Sequence, residues 1–252
     1  MTDVSAATDH FATNDLRLGS IISRSGAVLS RHFLKFFIVT LIAYSPTLLI
    51  ANMQSTEPIE PSEALSQALL ALLAVLLLMV LSTLSYAIIL HAAFQDMRHR
   101  PVRLAESLNV ALSRFLPLIG LAFVAGFLIL LGLILLIIPG LILYMMWFVG
   151  VPACVVERLG PWTSLRRSRE LTKGYRWKLF ALALLILVGS IGSSLIESVL
   201  GALAGPVVGL SGQLIWSGIW AAFSAIVITV TYYHLRVIKE GVDIEQITAV
   251  FD

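Results

Sequence analysis

The alternation of apolar and polar positions divides the chain into four hydrophobic blocks separated by charged segments. The first runs from Phe33 to about Met53, the second from about Ala64 to Leu90, the third from Phe115 to Val156 and the last from Leu179 to Arg236. A helix needs about 20 residues to cross a hydrocarbon core. The first two blocks therefore predict one span each, and the third is long enough for two. Pro139-Gly140 stands near the middle of the third block, where proline cannot continue a helix and glycine allows a tight reversal. A turn is expected at Ile138-Pro139-Gly140, and Gly205-Pro206 breaks the last block in the same way. The pattern predicts an all-α integral membrane fold of six transmembrane helices arranged as three hairpins. Residues 1–14 are polar and aperiodic and predict a disordered tail. A single membrane domain is expected over 15–238, followed by a C-terminal tail over 239–252.

Each hairpin is preceded by a short amphipathic segment. In residues 16–31, Arg17, Arg24 and Arg31 recur every seven positions, opposite Leu18, Ile21, Ile22, Val28 and Leu29. Residues 102–115 set Leu104, Leu108, Ala111, Leu112 and Phe115 against Arg103, Glu106 and Arg114. Residues 161–174 set Leu165, Ser168, Leu171 and Thr172 against a basic face. The three copies enter their hairpins through Arg31-His32-Phe33, Arg114-Phe115 and Arg176-Trp177. Helices of this kind lie in the headgroup plane with the apolar side down. The architecture is thus a threefold repeat of interfacial helix plus hairpin, over 16–90, 102–156 and 161–236.

Charge fixes the expected orientation. All 17 Lys and Arg fall in the N-terminal segment up to Lys35, in 98–114, in 158–178, or at Arg236 and Lys239, whereas the 52–66 loop carries Glu57, Glu60 and Glu63. With six spans the basic groups all fall on one side. The positive-inside rule makes that side, with both termini, cytoplasmic, in a bacterial cytoplasmic (inner) membrane. No cleavable signal peptide is expected, because Asp3, Asp9 and Asp15 interrupt the start and no apolar core follows a basic one. Composition agrees: 58% of the 252 residues are hydrophobic, 13% are charged, and the mean hydropathy is +0.93. Soluble domains carry about 25% charged residues.

The chemistry is sparse. Cys154 is the one cysteine, which excludes an internal disulfide or a cysteine cluster. His10, His32, His91, His99 and His234 are scattered without ligand spacing. Gly209-Leu210-Ser211-Gly212 falls short of a nucleophile elbow. No catalytic residue, metal or cofactor is expected, and the chain reads as a non-enzyme without a nucleic-acid partner. Glu197 reads in two ways. It is either an interfacial carboxylate reaching water, or part of a polar cavity with Ser193, Ser194, Ser198 and Gln213. Trp216 and Trp220 near the start of the last span, and Tyr232, Tyr233 and His234 at its end, fit aromatic belts. Pro46 and Pro152 lie within spans and read as packing-tolerated kinks or as hinges.

The 158–178 segment is the most basic stretch. Arg166, Arg167, Arg169, Lys173, Arg176 and Lys178 face a single acid in that interval, Glu170. They form the expected contact for anionic lipid headgroups, at about 1 kcal/mol each. The run from Pro161 to Gly174, with Leu165, Ser168, Leu171 and Gly174 at three-residue steps and Trp177 after them, resembles the membrane-domain family of glycerophosphoryl diester phosphodiesterases, which includes the YciC-like bacterial inner-membrane proteins. The Ile138-Pro139-Gly140 turn, Val155-Val156-Glu157 and Lys239-Glu240-Gly241-Val242-Asp243 are similar too. The resemblance implies a membrane bundle tied to lipids or envelope maintenance. The catalytic barrel fused to some members has no counterpart here, so no catalytic role is carried over. The expected function is a non-enzymatic inner-membrane protein that binds or organises lipid. The alternatives are a small transporter or channel with a polar path near Glu197, or a scaffold for protein partners. Ligand and oligomeric state stay open.

Overall fold

The computed structural model describes residues 16–47 and 64–240. The expected N-terminal tail, the acidic loop with Glu57, Glu60 and Glu63, and the tail beyond Glu240 lie outside the described residues, as do the side chains of Ser193 and Glu197. The described residues are helical apart from short turns, with no strand among them. In chain order the helices are α1 (Leu18–Arg31), α2 (Phe33–Tyr44), α3 (Ala64–Met97), α4 (Leu104–Ser113) and α5 (Phe115–Leu135). They continue with α6 (Ile137–Met146), α7 (Gly150–Val156), α8 (Pro161–Thr172), α9 (Arg176–Ala204) and α10 (Pro206–Glu240). Four stretches are long and apolar enough to cross a membrane: Leu65–Met97, Phe115–Leu135, Ile137–Val156 and Val208–Glu240. The pairs α1–α2, bent by 86°, and α8–α9, bent by 109°, raise the number to six if each counts as one span.

The third apolar block turns earlier than its sequence predicts. Helix α5 ends at Leu135, and the reversal falls on Leu136, whose backbone is extended (φ −159, ψ 132). Pro139 then sits in the first turn of α6, where a missing N–H removes no helical hydrogen bond. Gly140 serves close approach instead of reversal. A Cβ there would lie 2.6 Å from the Leu133 nitrogen, and one on Gly132 would lie 2.9 Å from the Gly140 Cα. Downstream, Pro152 forbids a hydrogen bond to the Phe148 carbonyl, and the chain breaks at residues 147–149, between α6 and α7.

The packed interior lies at the basic end. Helix α10 is central there, touching α1, α2, α3, α7, α8 and α9. Ile21, Phe36, Ile89, Leu171, Leu182, Ile226 and Leu235 are fully buried. Cys154 is sealed in the same region, its Sγ 3.5 Å from the Leu159 carbonyl oxygen. Away from that end, Leu69 and Leu73 of α3, Ile134 and Ile137 at the α5–α6 turn, and Leu203 of α9 are exposed. Apolar exposure on this scale is far beyond what a soluble surface carries.

Two of the three amphipathic helices, α1 and α8, pack differently from the expectation of an apolar face turned to lipid, while α4 leaves Leu108 and Leu112 exposed. Ile21, Ser25 and Val28 of α1 are buried, and α1 lies against α10. Ser164, Leu165, Ser168, Leu171 and Thr172 of α8 are buried as well. Packing against other helices of the same chain removes these residues from water, which the headgroup boundary does only in part. Ion pairs tie the elbows together. Asp96 at the end of α3 meets His32 at 2.9 Å and Arg31 at 3.0 Å, at the α1–α2 bend. Arg114, between α4 and α5, donates to the Arg158 carbonyl at 3.0 Å.

The motif over Pro161–Gly174 has a structural explanation. Ser168 Oγ donates to the Met146 carbonyl at 2.9 Å and accepts from the Val149 N–H at 3.3 Å. Thr172 Oγ1 also donates to Met146, at 3.2 Å. Two hydroxyls one turn apart thus satisfy backbone groups that the α6–α7 break leaves without helical partners. Ser168→Ala is expected to lower stability by about 1–2 kcal/mol, because Val149 loses its partner while Thr172 still serves Met146. Thermal unfolding in detergent reads this, and an unchanged midpoint would show the break to be satisfied by other means.

Candidate anion-binding cleft

The sequence chemistry that converges in space lies outside the 161–178 run. Helix α3 ends in a Schellman arrangement: the Arg100 N–H bonds to the Gln95 carbonyl at 3.0 Å and the His99 N–H to the Asp96 carbonyl at 3.0 Å. His99 occupies the left-handed position, φ 54, that glycine usually fills. Arg158, just past α7, has φ 55. Among the described residues these two are the non-glycine positions with positive φ, and such strain collects at functional sites. Both turns border the same cavity.

That cavity has a volume of about 530 Å³. Arg98, Arg100 and Arg103 enter it from the α3–α4 connection, Arg158 from the end of α7 and Arg236 from the last turns of α10. His91, Gln95 and Glu106 contribute the remaining polar wall. Helix α4 closes one side. It is held on α3 by the His91 Nδ1–Ser107 Oγ contact of 3.0 Å and by the Arg103 N–H donating to Gln95 Oε1 at 3.2 Å. Among the described residues no carboxylate pairs with Arg98, Arg100, Arg103 or Arg158, while Arg236 is bonded to Glu240 at 2.8 Å. Burial pushes the Arg98 guanidinium below its ordinary pKa, and the Arg100 and Arg236 charges push the same way. Five arginines beside one glutamate leave an excess of positive charge in a concave site. Their planar forks match the oxygens of a phosphate or carboxylate.

A second cavity of about 330 Å³ lies between α2, α3 and α4. Its walls are apolar, including Val39 and Ile42 of α2, Leu81, Leu84 and Ile88 of α3, and Leu104 of α4.

The residues expected to touch lipid divide. Arg166, Arg169 and Lys173 are exposed, Arg166 in an i,i+4 pair with Glu170 at 3.3 Å. Arg176 and Lys178 are half-buried at the start of α9. Arg167 turns inward. Its Nε donates to both Glu157 oxygens, at 2.9 and 3.0 Å, and its Nη2 pairs with Glu240. Tyr232 donates to Glu157 at 2.6 Å, so this tyrosine is a buried network member and not part of an aromatic belt. Trp220 likewise bonds to Ser190 Oγ at 2.9 Å, across from Gly189, and packs between α9 and α10. Of the expected polar cavity, Ser194 bonds within its own helix at 3.1 Å on an exposed face, and Gln213 is exposed on α10. Neither they nor Ser198 line the two cavities described above.

In the sequence the cleft arginines read as topology signals, and Arg103 also as part of the polar face of the second amphipathic segment. Arg98-His99-Arg100-Pro101-Val102-Arg103 was the available hint, three arginines in six residues around a proline. No family model, no curated protein and no solved structure matches the chain.

Proposed function

We propose that this chain is a non-enzymatic inner-membrane protein whose arginine cleft binds the phosphate of an anionic lipid. The observation that carries the reading is the convergence of Arg98, Arg100, Arg103, Arg158 and Arg236 on one cavity with a single carboxylate in its wall. The proposed topology is six spans in three hairpins with the cleft and both termini on the cytoplasmic side, supported by the positive-inside distribution of all 17 Lys and Arg. The bent pairs α1–α2 and α8–α9 supply the fifth and sixth spans. At the headgroup level a guanidinium cluster meets lipid phosphates at about 1 kcal/mol per basic group. The resemblance to the phosphodiesterase membrane-domain family supports the same lipid-linked role.

Native mass spectrometry of the purified protein with phosphatidylglycerol and phosphatidylcholine of equal chain length tests this. The wild type is expected to retain phosphatidylglycerol selectively, and Arg100→Glu with Arg103→Glu to cut that selectivity by about tenfold or more. Both positions are exposed, so the fold tolerates the change. Arg166→Glu with Arg169→Glu, on the outer face of α8, is the comparison. Loss of selectivity in this pair alone would move the headgroup contact to α8 and sink the cleft.

A further inference from the structure

Helix α3 contributes lining to both cavities, one after the other along its axis. Leu81, Leu84, Ser85 and Ile88 line the apolar groove, and His91, Phe94 and Gln95, with Arg98 just past the helix end, line the arginine cleft. At 3.6 residues per turn the two sets are turned from each other by roughly 80° about the axis, so the lining winds from one face of the helix to the next. At 1.5 Å per residue the centres of the two sets lie about 15 Å apart along the axis, with the cleft toward the basic end. The groove runs about 10 Å along α3, which fits within one leaflet of a hydrocarbon core about 30 Å thick. Helix α4 rests on α3 at the His91–Ser107 contact. It lies between the two cavities, with Arg103, Glu106 and Val110 lining the cleft and Leu104, Ala105 and Leu108 lining the groove.

We propose that cleft and groove are two halves of one amphiphile site, with the lipid phosphate among the arginines and an acyl chain running past the α4 N-terminus into the groove between α2, α3 and α4. The inference rests on the cleft being a headgroup site. What it adds is the chain. A soluble phosphate ester would use the cleft alone and would leave the groove without an occupant. The wall chemistry changes from guanidinium to leucine between consecutive residues, which is the polarity profile of a phospholipid at its headgroup–chain junction. The groove is near the lower end of the roughly 300–1,000 Å³ range of ligand sites.

Ala105 is exposed at the groove wall and lines no part of the cleft, so Ala105→Trp fills the groove from its own side. The probes are dioleoyl and dihexanoyl phosphatidylglycerol and inorganic phosphate, measured on the full chain in detergent. Ala105→Trp is expected to weaken dioleoyl binding about tenfold, as when the last methylenes of a chain lose their burial, and to leave phosphate binding unchanged. Unchanged dioleoyl binding in this variant overturns the chain site while leaving the cleft intact. Failure of Arg100→Glu with Arg103→Glu to weaken any probe removes the headgroup site itself. A photoactivatable diazirine on the acyl chain gives an independent readout in the wild type. Crosslinks within 81–88 or 104–108 support the site, and crosslinks confined to other helices overturn it.

Discussion

Replacing Glu157 with alanine is expected to lower the stability of the folded chain by about 3 kcal/mol. The carboxylate accepts two hydrogen bonds from Arg167 and one from Tyr232, and the Arg167 and Glu157 side chains are only 22% and 16% exposed. Arg167 continues the network to Glu240, and Glu240 to Arg236. This chain of charges holds the end of α7 and helix α8 to the end of α10. Removing Glu157 strands the hydroxyl of a fully buried tyrosine and half the partners of an inward-facing guanidinium. A broken pair leaves uncompensated polar groups, and that penalty exceeds what the intact pair contributes. Tyr232→Phe removes one hydrogen bond and is expected to cost about 1 kcal/mol. Thermal unfolding in detergent ranks the two. A loss in Glu157→Ala no larger than that in Tyr232→Phe would show that the arginine contact adds nothing.

Gly140→Leu is expected to be of similar size, about 3 kcal/mol, or to prevent folding altogether. Even a methyl group at this position meets the Leu133 backbone nitrogen at 2.6 Å, and backbone cannot rotate away as a side chain can. The α5–α6 turn must open, and the paired contact with Gly132 opens with it. Gly126→Ala is the control. It lies in α5 with nothing within 4 Å of its Cβ position, so replacing a mid-helix glycine there is expected to stabilise by up to about 1 kcal/mol. Equal behaviour of the two positions would mean that the α5–α6 turn is not held by close approach.

The helices were legible because their signals are local. Runs of about 20 apolar residues and stripes at three and four residue spacing need no knowledge of neighbours. Even so, the reversal expected at Pro139-Gly140 falls at Leu136, since proline fits the first turn of a helix as well as it ends one. The amphipathic period of α1 and α8 revealed a buried face but not what covers it. Lipid and α10 look alike to Ile21 and Val28. The cleft was hidden for a related reason. Its arginines come from 98–103, 158 and 236, three helix ends that meet only after folding, and each alone is ordinary positive-inside topology. The basic face of α8 was conspicuous because its charges are contiguous, yet Arg167 within it turns inward to serve packing.

The burial of Cys154 has a practical side. The one native thiol in the chain is closed off from solvent beneath the α7–α8 turn. Water-soluble maleimides and spin-label reagents are therefore expected to pass over the unmodified protein. Cysteines introduced one at a time on either face of the bundle would each be the sole reporter, in the natural background and with no prior replacement of the endogenous residue. The sidedness of every loop and the spacing between helix ends become measurable on the chain as it stands.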